Sequence, residues 1–115
     1  MIIISRKTLL VALFFFASQS FAQNLPVVIS LAKEQKWNEL ASLLEDGFNP
    51  NAVYGDGTTA LHWASYHNSN QATELLLASG ADVNATTDLG VTALWLAAEN
   101  GSVDIVRKLL ISGAD

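Results

Sequence analysis

The strongest constraint on this chain is its similarity to itself at a spacing of 33 residues. "TALHWASYHN" at residues 59–68 returns as "TALWLAAENG" at 92–101. Laying residues 57–82 over 90–115 pairs Gly57 with Gly90, Thr59-Ala60-Leu61 with Thr92-Ala93-Leu94, and Ala64 with Ala97. It also pairs Leu76 with Leu109 and Gly80-Ala81-Asp82 with Gly113-Ala114-Asp115. One period further back, Leu43-Leu44 falls on Leu76-Leu77, Gly47 on Gly80 and Asn51 on Asn84. A unit this short cannot bury its apolar face alone, so repeated units must stack and build a core between neighbours. The expected units run over about 24–54, 55–87 and 88–115, the last incomplete.

Each unit reads as helix, turn, helix, loop. Thr59 and Thr92 stand where a hydroxyl can accept backbone N–H bonds at a helix start. Ala60, Ala64, Ala93, Ala97 and Ala98 follow, small enough to let neighbouring helices approach closely. Second helices are expected from about Asn70 to Ala78 and from Ser102 to Ile111. Their apolar positions, Leu75, Leu76 and Leu77 in one and Val103, Val106, Leu109 and Leu110 in the other, are read as the buried stripe. Gly80 and Gly113 follow these runs, as a helix-closing residue of positive φ would. "NAVYGDGT" and "NATTDLGV" carry turn residues and are expected to project as hairpin-like loops. In the first unit, Asn24 to Glu34 fills the slot of a first helix, with Pro26 in its first turn. Trp37 to Glu45 then forms the second helix, with Trp37, Leu40, Leu43 and Leu44 inward, and this unit serves as an end cap of the stack.

The first 22 residues read differently. Arg6 and Lys7 precede an apolar run from Leu9 to Ala17, and Ser20-Phe21-Ala22 supplies small residues where a signal peptidase cuts. The run is short against the roughly 20 residues of a membrane span. A cleaved export signal over 1–22 is therefore expected, leaving Gln23 as the N-terminus, with an uncleaved membrane anchor as the alternative. The whole chain carries a net charge of −5. Without the signal it keeps Lys33, Lys36, Arg107 and Lys108 against all 11 acids, a balance of −7. Such a surface argues against nucleic acid or an anionic membrane as partner. With no cysteine, disulfides, thiolate metal sites and a cysteine nucleophile are excluded, and packing must hold the fold.

"GTTALHWA", "GVTALWLAAENG", "VRKLLISGAD" and "LLLASGADVNA", at this period, resemble the ankyrin repeat family from Leu25 to Asp115. The resemblance implies an all-α solenoid of stacked helix pairs joined by β-hairpin loops. It also implies a non-enzymatic function, binding other proteins through the hairpin tips and the concave face of first helices. The family's Thr-Pro-Leu-His is Thr-Ala-Leu-His at 59–62 and Thr-Ala-Leu-Trp at 92–95. The resemblance gives His62 a hydrogen bond across to a neighbouring loop, while Trp95 offers only a donor on a larger ring. The geometry at 95 is therefore expected to be rearranged. The chain stops at "GAD" before a third loop, so a longer array is expected to continue past Asp115, the alternative being a dimer through that face.

Chemistry at single residues is weighed against the repeat. His62 and His67 are five apart, a spacing that separates them on a helix, and no third nitrogen or thiolate ligand exists, so no metal and no cofactor are expected. Asp56, Asp82, Asp88 and Glu99 lack the enclosure that tunes catalytic carboxylates. No nucleophile elbow is present, and no catalytic residue is assigned. Asn84-Ala85-Thr86 and Asn100-Gly101-Ser102 fit a glycosylation pattern, but the repeat already accounts for both asparagines. The differences between copies are more informative. On the resemblance, Trp63, Tyr66, His67, Leu96, Glu99 and Asn100 stand at outward-facing positions of first helices, and Asp56, Thr58, Asp88 and Leu89 at loop tips. These ten form the candidate partner-binding set, its acidic field favouring a basic protein. For Trp63 a second reading stands beside this one, in which it packs half buried onto Trp95 or a neighbouring loop. A second function, as the targeting region of a longer exported enzyme or toxin, also stays open.

Overall fold

The computed structural model describes residues 26–115; the segment read as an export signal, the expected Gln23 terminus, Asn24 and Leu25 lie outside the described residues. Six helices follow in order: α1 (Val27–Lys33), α2 (Trp37–Glu45), α3 (Ala60–Tyr66), α4 (Asn70–Ala78), α5 (Ala93–Glu99) and α6 (Val103–Ile111). They form three pairs in the expected register. No strand occurs among the described residues.

Local chemistry explains several of the boundaries. The Thr59 hydroxyl accepts the His62 N–H at 3.4 Å, and His62 Nδ1 accepts the Thr59 N–H at 3.0 Å, closing a reciprocal cap on α3. Thr92 caps α5 through the Trp95 N–H at 3.1 Å, but Trp95 has no acceptor to return the bond. Ser69 starts α4 by accepting the Ala72 N–H at 3.1 Å. Ser102 makes no such cap; its hydroxyl donates to Asn68 Oδ1 in the preceding unit. Pro26 stands one position before the expected first turn, at the N-cap of α1. There its fixed φ and missing N–H cost no helical hydrogen bond. Helices α4 and α6 end as the sequence suggests, with Gly80 and Gly113 at φ 92° and 97°. The next N–H then reaches back to Leu76 and Leu109 at 2.9 Å each.

First helices are short, seven residues each, and second helices run to nine. First helices also pack on each other more closely than second helices do. The cause is the alanine face: Ala60, Ala64, Ala93 and Ala97 are all buried and hold the neighbours close. The array therefore curves, with α1, α3 and α5 on its inner side. The core continues between units through Leu40, Leu43, Leu61, Leu76, Ile105 and Leu109.

Part of the expected stripe differs. Leu76 and Leu109 are buried, but Val103 is 67% and Leu110 52% exposed. Ile105, passed over in the sequence, is fully buried and occupies the place of Ala72 one unit earlier. Residues 105 and 109 lie one turn apart on the face of α6 that meets α4 and α5, and 103 points well away from that face.

The loops are hairpin-shaped but too short to form a ladder. In the first, the Tyr54 N–H donates to Thr58 O at 3.0 Å and the Gly57 N–H to Tyr54 O at 2.7 Å. In the second, Thr87 donates to Val91 O at 3.0 Å and Gly90 to Thr87 O at 2.8 Å. The expected β-hairpins are thus tight turns.

Candidate functional site

The turn that carries Asp56 is pressed against the turn that carries Asp88. The Asp88 N–H donates to Asp56 O at 2.9 Å. Gly57, at φ 83°, lies so close that a Cβ there would stand 3.1 Å from Thr86 O and 3.2 Å from Thr87 Cα. A side chain would clash and strain the turn together, so glycine is required for the approach. The two loop tips form one end of a groove of about 430 Å³, open to solvent, whose other wall comes from α3 and α5.

Asp56, Thr58, Trp63, Tyr66, Asp88, Leu89 and Leu96, all candidates from the sequence, line this groove. His62, Thr87 and Val91 line it too and were not among the candidates. Thr87 and Val91 could have been found from the repeat, because they stand 33 residues after Tyr54 and Thr58, the two ends of the first turn.

His62 lies under the groove with 3% exposure. Its Nδ1 accepts the Thr59 N–H, so the ring is the tautomer protonated at Nε2, which donates to Val91 O at 2.9 Å. This is the cross-loop bond that the resemblance implies. Burial pushes the imidazole below its ordinary value of 6.5, partly offset by the bond to Val91, so it remains neutral near pH 7. Trp95, its counterpart, makes no side-chain bond among the described residues and is 54% exposed. Asp56 is the opposite case. The side chain and the N–H of Thr58, the latter at 3.0 Å from Oδ1, hold its carboxyl below the usual range. Asp56 thus presents a full negative charge.

Trp63 meets its packing reading only in part, and with other partners than expected. It is half buried, but against residues of its own helix and unit one, and Trp95 is not a ring neighbour. Its ring stacks on His67 at 5.7 Å, receives the edge of Tyr66 at 5.6 Å, and has the Lys33 ammonium 5.9 Å from its centre. Its Nε1 is buried without a hydrogen-bond partner. Held this way, Trp63 offers a rigid apolar wall, while Tyr66 and Leu89 stand 56% and 92% exposed beside it.

Three candidates stand outside the groove lining. His67 bonds through Nε2 to Lys33 O at 3.1 Å. Asn100, its counterpart one unit on, donates from Nδ2 to Ser65 O and Tyr66 O at 2.9 Å each. Both side chains bond carbonyls at the C-terminus of the preceding first helix, a structural task. Glu99 is exposed and makes no side-chain bond among the described residues. The sequon asparagines are equally engaged: Asn84 donates to Gly113 O at 3.2 Å and accepts from the Asp115 N–H at 3.0 Å. Among the described residues, no group of three or more His, Asp or Glu side chains is placed to hold a metal ion.

The family model for ankyrin repeats, three copies, matches residues 14–115. The chain belongs to the ankyrin repeat family. Ankyrin repeats are generally protein–protein interaction modules and are typically non-catalytic. The matched span begins inside the segment read as an export signal, ahead of the Gln23 boundary. No curated protein matches the chain. In this ankyrin array the groove joins the loop tips at one end to the inner helix face along its other wall.

Proposed function

We propose that this ankyrin array is an exported, non-enzymatic module whose groove between the second and third units binds a basic partner protein. One observation carries the reading: Asp56 and Asp88 share a groove with Trp63, Tyr66, Leu89 and Leu96, and among the described residues no Lys or Arg lines it. Exposed aromatic and aliphatic side chains supply anchoring area. The carboxylates select the sign of the partner's charge and speed encounter in an acidic field. The rest of the array positions these groups rigidly, so little ordering is needed on binding.

The test uses the immobilised full chain and a set of 15-residue peptides, half basic and half acidic. The wild type is expected to retain basic peptides, and Tyr66→Ala/Asp88→Lys to lose them, with only a small fall in thermal midpoint, from the lost edge contact of Tyr66 on Trp63. Equal retention of the basic set by this variant overturns the assignment of the groove.

A further inference from the structure

Among the described residues the two carboxylates of the groove form no ion pair with a Lys or Arg. Among the described residues the ion pairs are Lys36 with Glu34 at 2.9 Å and Lys108 with Glu74 at 2.7 Å, both remote from the groove. Lys33 is placed over Trp63. His62, directly beneath, is neutral with both nitrogens engaged. Two carboxyl side chains on touching turns therefore face a groove whose remaining wall is largely apolar.

We propose that this groove receives one arginine side chain, presented on an extended segment of the partner protein. The inference rests on the groove being the partner-binding face. The choice of a long cationic side chain follows from the two ends of the groove. An aliphatic stem matches the wall made by Trp63 and Leu96, and a charged head matches the loop tips. Arginine fits better than lysine for two reasons. Its planar guanidinium carries five N–H donors in a fixed fork and can serve both the Asp56 and Asp88 carboxylates, whereas an ammonium acts as a point charge. It also stacks on an aromatic face, and the exposed ring of Tyr66 stands at the rim. An acidic ligand would meet two like charges. A purely apolar side chain would leave both carboxylates partly desolvated without a partner.

The experiment is an NMR titration of the isotope-labelled full chain with blocked pentapeptides, Gly-Gly-X-Gly-Gly, where X is Arg, Lys, Leu or Glu. The arginine peptide is expected to give saturable shifts at the Trp63 indole N–H and the Leu96 methyl groups, with none at Ile111 on the far helix. Its Kd should be several-fold lower than that of the lysine peptide and should rise about tenfold in Asp56→Asn/Asp88→Asn. Asparagine at 56 keeps the oxygen that accepts the Thr58 N–H, so the turn is retained, and the thermal midpoint checks this. Lysine binding as tightly as arginine overturns the choice of guanidinium. Leucine binding as tightly, or an unchanged Kd in the double variant, overturns cation recognition and leaves the groove a binding face. Absence of groove shifts with every peptide overturns the proposal. If the basic 15-residue peptides are still lost by Tyr66→Ala/Asp88→Lys, only the arginine assignment falls; if they are retained, the wider reading falls with it.

Discussion

Gln35, Asn68 and Gly101 close the three first helices in the same way, at φ 60°, 55° and 68°. An ordinary side chain in this left-handed region costs about 1 kcal/mol relative to glycine. Gln35 makes no side-chain hydrogen bond among the described residues, whereas Asn68 accepts one from Ser102. Gln35→Gly is therefore expected to stabilise the array by about 1 kcal/mol, read as a rise of a few degrees in thermal midpoint. Asn68→Gly should gain less, because it loses the Ser102 bond. His62 sets a pH dependence at the same scale. Its folded pKa is lowered, chiefly by burial, below the ordinary 6.5. The unfolded chain therefore binds this proton at a higher pH than the folded chain, and stability rises with pH across that window. On acidification the loss should begin near pH 6.5 and continue down to the folded value. Urea midpoints between pH 7.5 and 5.0 should fall for the wild type. They should fall less for His62→Gln, which cannot take up the proton; equal slopes would exclude His62 as the source.

At the scale of elements, the units are tied by a recurring asparagine clamp. Asn51 donates to Gly80 O at 3.0 Å and accepts from the Asp82 N–H at 2.6 Å; Asn84 repeats both bonds with Gly113 and Asp115. Each clamp bridges the end of one unit to the end of the next. Asn51→Ala is expected to destabilise by about 1–2 kcal/mol, from two bonds lost at a net of roughly 1 kcal/mol each in an exposed setting. Chemical denaturation of the full chain measures it. The pairing of Asn51 with Asn84 was visible in the sequence because the repeat places them together, and the helix boundaries were visible for the same reason. The bonds themselves were not, since nothing in a linear pattern shows which carbonyl a side chain reaches. The same limit explains His67 and Asn100. Their differences from unit to unit suggested an outward-facing surface, but their acceptors lie 34 or 35 residues back, on Lys33, Ser65 and Tyr66. Val103 and Leu110 were misplaced by hydropathy alone, because an apolar residue is not bound to face a neighbour. Trp63, Tyr66, Leu96 and the loop-tip residues were legible as a group, since the shared scaffold made the variable positions stand out.

For the whole molecule, the absence of cysteine leaves packing alone to hold the fold, and the proposal of export rests on residues 1–22. Among the described residues no helix is long and apolar enough to cross a membrane. The features of residues 1–22 separate two outcomes physically. The apolar run from Leu9 to Ala17 is short for a stable span, and Ser20 and Ala22 stand at the small positions that a signal peptidase reads. Cleavage would remove Arg6 and Lys7, taking the charge from −5 to −7 and strengthening the field around Asp56 and Asp88. Expression of the full chain in a secreting host, followed by fractionation and intact-mass measurement, should recover a species beginning at Gln23 outside the cytoplasm. Recovery of the chain with Met1 intact in the membrane fraction would instead establish the uncleaved anchor. Recovery of the intact chain in the cytoplasm would overturn export, while leaving the groove and its selectivity for a cationic partner to be judged by the binding experiments alone.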